Sequence, residues 1–155
     1  MATNLSDHFT LEELVHSDVA LRKGIDNTTS NPAIVTALTV LASNILEPIR
    51  AQFGAFSPTS GYRCPALNTA IGGAANSQHM SGQAADIVIP GVTRLALAQW
   101  IERSLDFDQL ILELYTPGEP DSGWVHCSYV NPARNHKQSL TFPPQLRQYI
   151  PGLQA

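Results

Sequence analysis

The chain has 155 residues, with thirteen acidic against nine basic side chains and a formal net charge of −4 at neutral pH. That length suits one domain hiding roughly two thirds of its unfolded surface, and a second full domain is not expected. The acidic balance predicts no electrostatic affinity for nucleic acid or an anionic membrane, where a basic face would be expected. No run is expected to reach the ~20 apolar residues that crossing a membrane requires. Two cysteines, Cys64 and Cys127, fit neither a disulfide-dense scaffold nor a CxxC knuckle; both are expected as free thiols, with a single bridge between them as the alternative.

In chain order, Phe9 to Glu13 reads as a helix start. Thr10 is placed to cap, Glu13 to reach back three residues, and Leu11 and Leu14 open the apolar face of a short helix ending near Gly24. A second helix begins at Asn31-Pro32, a cap followed by a first-turn proline, and carries Ile34, Leu38, Leu41, Ile45, Ile49 and Phe53 at helical spacing. Pro48 removes an amide donor within that pattern and predicts a kink or break just before Ile49. Phe56 to Tyr62 reads as extended, and Pro65 to Ile71 as about two helical turns closed by Gly72-Gly73. A loop then leads to His79. Ala84 to Ile89 is a short buried strand bounded by Pro90-Gly91, Thr93 caps a helix from Arg94 to about Ser104, and Gln109 to Tyr115 is the next strand. Turn formers fill Thr116 to Gly123, so Trp124 to Val130 should return beside the preceding strand. The last twenty-five residues, rich in proline, are expected to be irregular. Helices first, then short strands mixed with helices, indicate an α+β fold. The expected form is a small single domain over 1–155 with a short, mainly antiparallel sheet flanked by helices, its core over about residues 5–131 and a Pro-rich extension, 132–155, packed on it.

Three side chains have the chemistry of a catalytic metal site: His79, Asp86 and His126. Two neutral imidazoles and one carboxylate give a borderline-soft cation such as zinc three protein ligands and leave its fourth position open for water, which catalytic zinc needs and structural zinc avoids. Gly82, between His79 and Asp86, lets the chain turn, and Ala84 is too small to obstruct an ion. Alternation along the later strand sends Trp124, His126 and Ser128 to one face and Val125 and Cys127 to the other. Taken singly, each residue has an ordinary reading. A lone histidine is more often a surface or hydrogen-bonded core residue, and Asp86 could equally bind backbone amides.

The residues taken in order carry more. Ser60-Gly-Tyr-Arg63, then Asn68 and Gly72-Gly73, then Ser77, His79, Gly82, Ala84 and Asp86, then Trp124 and His126 resemble the peptidase M15 family of zinc D-Ala-D-Ala carboxypeptidases and L-Ala-D-Glu endopeptidases, many of them phage endolysins. The family signature is Ser-x-His-x-x-Gly-x-Ala-x-Asp followed by a distant Trp-x-His or His-x-His. The resemblance covers about residues 5–131, and Leu5 to Leu14 is similar to the phage-type branch. It implies the α+β fold shared with the signalling domain of Hedgehog proteins, and one zinc ion per chain held by His79, Asp86 and His126. It also implies Arg63 as the cation facing the scissile carbonyl, where fixed donors stabilise the developing oxyanion.

The general base departs from the family pattern. Some relatives place a glutamate three residues before the last zinc histidine, others a histidine two before it; here those positions hold Gly123 and Trp124. Glu113 is the first candidate, because an otherwise apolar strand does not retain a carboxylate cheaply unless it faces a polar site. Asp121 is the second, although a Pro- and Gly-rich turn uses aspartate for local hydrogen bonds. Ser77 and Gln78 could orient a ligand or touch substrate, Trp124 could wall the cleft, and Tyr62 could stack on or hydrogen-bond to the peptide, with packing as the other reading of each. His8, His16 and His136 read as ordinary surface or packing residues.

The implied activity is zinc-dependent hydrolysis of the stem peptide of bacterial peptidoglycan. An L-Ala-D-Glu endopeptidase acting as an endolysin is preferred to a D-Ala-D-Ala carboxypeptidase, because trimming a terminal residue leaves the cross-linked mesh intact. A glycosidase would need two carboxylates flanking a sugar bond, and no such pairing is recognisable. The alternative of another class is a non-catalytic peptidoglycan-binding or virion domain that retains zinc. The expected partner is the stem peptide, with no nucleic acid or membrane, and the expected state is a monomer. Met1 to His8 lacks the basic, apolar and small-residue order of a secretory signal. The expected location is therefore the host cytoplasm, with release to the wall through a separate pore, or alternatively the virion.

Overall fold

The structure, a computed structural model, describes residues 2–155. Its first helices are α1 (Leu11–Val15) and α2 (Asp18–Lys23). Thr10 and Glu13 form the expected capping box on α1. The expected single helix to Gly24 is corrected to two: His16 is extended, and Ser17 caps α2 afresh by accepting from the amide of Ala20.

The long core element is α3 (Pro32–Leu41), a π-helical turn at Ala42–Leu46, and α4 (Glu47–Phe53). The disturbance expected just before Ile49 lies upstream, as this wider turn. Pro48 directly follows that turn in a helical run that continues through it, so the wider turn lies where the proline ring would otherwise crowd the carbonyl four residues back. By length and composition the 22-residue run Pro32–Phe53 would suffice to cross a membrane, contrary to the sequence expectation. Here its Leu38, Leu41, Ala42, Ile45, Leu46 and Ile49 are fully buried in the protein core. After it, Phe56 to Tyr62 forms no strand and contributes only a bridge from Ser60 to Asp86. Next come α5 (Pro65–Ala70), capped by the Cys64 sulfur, and a 3-10 turn at Gln78–Ser81 in place of the expected loop at His79. Both cysteines are free, as expected.

Strands β1 (Ala84–Ile87), β2 (Gln109–Glu113) and β3 (Trp124–Ser128) appear as expected but end earlier, and α6 (Arg94–Ser104) lies between the first two. At the end of β2, Leu114 turns the chain away with φ 46°. The C-terminal segment departs most from expectation. It is not irregular but supplies β4 (Gln138–Phe142) and β5 (Ile150–Pro151), with Thr141 fully buried. The sheet order is β1-β3-β2-β4-β5, antiparallel except for the parallel β2–β4 pair, which the sequence reading did not anticipate.

The pleat divides this α+β sheet into two faces. Ala85, Ile87, Leu110, Leu112, Val125 and Cys127 join the core with α3, α4 and α6. The strand registers pair Asp86 with His126, His126 with Ile111, Ile111 with Leu140, and Glu113 with Trp124 and Phe142. These residues therefore share the second face, which the helical core leaves free for chemistry.

Candidate metal centre

Asp86 and His126 are direct cross-strand partners, so their side chains rise side by side from the second face. His79 joins them from the 3-10 turn, whose start is fixed by the Ser77 hydroxyl accepting from the His79 amide at 3.3 Å. The turn ends at Gly82 with φ 74°, where a Cβ would stand 2.9 Å from the Ile34 carbonyl oxygen. Only glycine permits that left-handed exit so close to α3. Gly61 is equally constrained, since a Cβ there would collide with the Leu14 carbonyl oxygen. Its own carbonyl accepts from His79 Nδ1 at 2.7 Å. That bond places the ring proton on Nδ1 and turns the Nε2 lone pair toward the other two residues.

The three converging atoms form a nearly equilateral triangle. His79 Nε2 lies 3.2 Å from His126 Nδ1 and 3.3 Å from Asp86 Oδ1, and His126 Nδ1 lies 3.2 Å from Asp86 Oδ1. With both rings neutral, these atoms share at most one proton, so hydrogen bonds alone cannot satisfy all three contacts. A tetrahedral ion with ligand bonds of ~2.0–2.1 Å has edges of about 3.3 Å, so the triangle has the dimensions of one face around zinc. His79, Asp86 and His126 are all buried, and together they could hold a metal ion.

Asp86 is ionised. Burial alone would raise its carboxyl, but the two adjoining imidazoles, His79 first and then His126, outweigh burial and hold it well below the usual carboxylate range. Its second oxygen, Oδ2, accepts from Arg63 Nη2 at 3.0 Å, while Arg63 Nε donates to the Ser60 hydroxyl at 3.3 Å. The arginine is thus tied to a ligand residue, and it lines a second cavity of about 370 Å³ with Ser17, Arg22 and Ile71, not the main cleft. Its contacts place it beside the candidate ligands and suit a residue that positions Asp86.

The main cleft, about 780 Å³, lies over the second sheet face, and its lining includes His126, Glu113, Ser77 and Gln78. Its volume is in the range of sites that enclose a drug-sized ligand, or a peptide of a few residues. Burial pushes Glu113 up, and the charge of Asp86 adds to that, against the opposing charges of His126 and Arg63. A carboxylate whose pKa is raised is a better proton acceptor than an ordinary one, which a general base requires. Asp121 is outside the cleft, on the turn before β3, with its side chain 76% exposed and 3.8 Å from Arg94.

Other expected residues divide. Gln78 donates to Asp108 Oδ2 at 2.8 Å and faces the cleft. Trp124 shares the face of His126 but does not line the cleft, and Tyr62 is a core residue, only 6% exposed. The substrate contact expected of Tyr62 is therefore corrected to packing. Sequence reading missed Asp108, His136, Gln138 and Tyr149, all of which line the cleft. His136 was read as ordinary, yet its Nδ1 lies 2.6 Å from Asp108 Oδ1. The motifs end before this region, and the only signal available was a histidine near the edge of an alternating Gln138 to Phe142 run.

Comparison with known proteins adds one finding: residues 7–128 match the model of the family described as Peptidase M15. No curated protein matches the chain.

Proposed function

The chain belongs to the peptidase M15 family, and from that premise we propose that it is a zinc metallopeptidase cutting the stem peptide of bacterial peptidoglycan as an L-Ala-D-Glu endopeptidase, in the role of a phage endolysin. The observation that carries this reading is the triangle of His79 Nε2, Asp86 Oδ1 and His126 Nδ1, with His126 opening onto the cleft that also holds Glu113. These three residues would hold the ion, which when bound supplies Lewis-acid activation of water and of the peptide carbonyl.

The protein's own groups supply the rest. Glu113 accepts a proton as the oxygen of water bonds to the carbonyl carbon, then returns it to the leaving nitrogen as the C–N bond breaks, leaving a carboxylate and an amine. Arg63 holds Asp86 through Oδ2, so that Oδ1 stays directed at the two histidines. Gly61 does the same for His79 by accepting its Nδ1 proton. Internal cleavage is supported by the length of the cleft, whose lining continues past His126 and Glu113 to His136 and Pro151 and so leaves room for chain beyond the cut.

The test is digestion of purified peptidoglycan by the zinc-loaded protein, with released peptides identified by mass spectrometry. New L-Ala carboxyl and D-Glu amino ends support the endopeptidase. Free D-Ala would replace it with the carboxypeptidase. No new ends from folded, zinc-loaded protein would reject hydrolysis in favour of a binding domain.

A further inference from the structure

The cleft extends well beyond the candidate ligands, and its far part is built by residues outside the 7–128 family match. His136, Gln138, Leu140, Tyr149 and Pro151 all belong to the C-terminal segment that carries β4 and β5. The parallel register puts Gln138 beside Gln109 and Leu140 beside Ile111, continuing the floor that holds Glu113 and His126. Phe142 packs against Tyr149 with ring centroids 4.7 Å apart, which seats the tyrosine at the margin of that floor.

The polar groups here are organised. Asp108 Oδ1 accepts from both the backbone amide and Nδ1 of His136, at 3.0 and 2.6 Å, while Oδ2 accepts from Gln78 at 2.8 Å. A nearly buried carboxylate thereby fixes the imidazole tautomer and orientation, with Nδ1 carrying the proton and Nε2 unengaged by any of these bonds. The His136 side chain remains 78% exposed, so the fold does not need its ring for packing. Beside it, Gln109 donates to Gln138 at 2.9 Å and leaves further amide capacity open to the cleft. An oriented imidazole and a paired amide row offer hydrogen bonds suited to an extended peptide backbone.

We propose that Asp108–His136 and Gln109–Gln138 form a peptide subsite that binds substrate residues on one side of the scissile bond, so that substrate selection resides in the C-terminal β4–β5 segment. His136 and the glutamines touch substrate, and Asp108 is a positioning residue acting through His136. The inference rests on the peptidase reading for the identity of its ligand. Because Asp108 also holds Gln78, next to candidate ligand His79, the subsite is mechanically joined to the metal centre.

The test measures binding by calorimetry, so it does not depend on turnover. The probe is a stem-peptide analogue whose scissile amide is replaced by an uncleavable methyleneamine, with two further analogues shortened from either end. Zinc-loaded wild type should bind the full analogue, and His136→Ala, with unchanged fold and zinc content, should bind it about tenfold more weakly, the loss expected of a hydrogen bond or two. Gln138→Ala should weaken it several-fold. For one shortened analogue the difference between wild type and His136→Ala should vanish. Equal affinity of wild type and His136→Ala for the full analogue, the same loss with both shortened analogues, or no binding by wild type would overturn the subsite. His136-dependent binding without cleavage of the natural peptide would defeat the peptidase reading and leave the subsite standing; cleavage without any His136 dependence of binding would do the reverse.

Discussion

Asp86 and His126 face each other as register partners across β1 and β3, and their Oδ1 and Nδ1 atoms lie 3.2 Å apart. A hydrogen-bonded sheet sets that separation, so two of the three candidate ligands are positioned before any ion arrives. His79 is held by Gly61 from outside the sheet. The metal-free protein should therefore keep its fold, and saturating zinc at 1,000 times its Kd should stabilise it by about 4 kcal/mol. Thermal unfolding with zinc and with chelator measures this, and identical transitions would contradict it. His126→Ala should abolish the zinc-dependent shift.

Glu113→Gln should retain fold and bound zinc but lower turnover by roughly 10²–10⁴-fold, the usual contribution of a general base. Asp121→Asn should leave turnover unchanged, because that side chain is exposed beside Arg94 and away from the cleft. Steady-state rates and metal content of both variants decide the assignment. Full activity of Glu113→Gln would remove Glu113 from the mechanism.

Arg63→Met should destabilise the metal-free protein by about 2 kcal/mol, since it removes a charged hydrogen-bond donor from a buried carboxylate. The loss should shrink in zinc, where the bound cation also neutralises Asp86. Urea midpoints with and without zinc would show the difference, and an equal loss in both would contradict the positioning role.

Gly82→Ala should cost about 2 kcal/mol or more, because the residue has φ 74° and its new Cβ would press on the Ile34 carbonyl oxygen. The strain falls on the turn that carries His79, so zinc affinity should fall together with stability. Calorimetric zinc titration checks the coupling; unchanged affinity would separate Gly82 from the ligand geometry.

Asp108 gives a pH signature. Burial acts to raise its carboxyl, but hydrogen bonds from the His136 side chain and amide and from Gln78 prevail, and its pKa lies below the ordinary 3.8. Between those values the unfolded chain binds more protons than the native state, so stability rises with pH there. The Asp108 contribution is present above pH 3.8 and is lost as pH falls through the native value. Urea unfolding of wild type and Asp108→Asn should differ at pH 7 and converge as the pH drops below that window. A difference that persists or grows in acid would contradict the sign.

The convergence of His79, Asp86 and His126 was legible in the sequence because their chemistry lies in one compact run plus one strand histidine, and strand alternation placed His126 opposite the core face. Thr10, Thr93 and Asn31 announced their helices through local capping, which needs no tertiary information. What stayed hidden depends on distant partners. The role of Arg63 is set by which oxygen of Asp86 it reaches, 23 residues away. Strand β4 pairs parallel with β2 across a long connection, and a segment rich in proline gave no local sign of that. His136 acquires meaning only through Asp108, from a turn 28 residues earlier. Tyr62 sits in a motif that suggested substrate contact, but the same backbone that brings Arg63 to Asp86 turns the tyrosine into the core.

The most direct measurement is the rate of stem-peptide hydrolysis as zinc is titrated into the metal-free protein. The rate should rise in proportion to bound zinc, stop rising at one equivalent per chain, and be absent from His126→Ala. A rate indifferent to zinc, or retained in His126→Ala, would contradict the claim that His79, Asp86 and His126 form a hydrolytic metal centre.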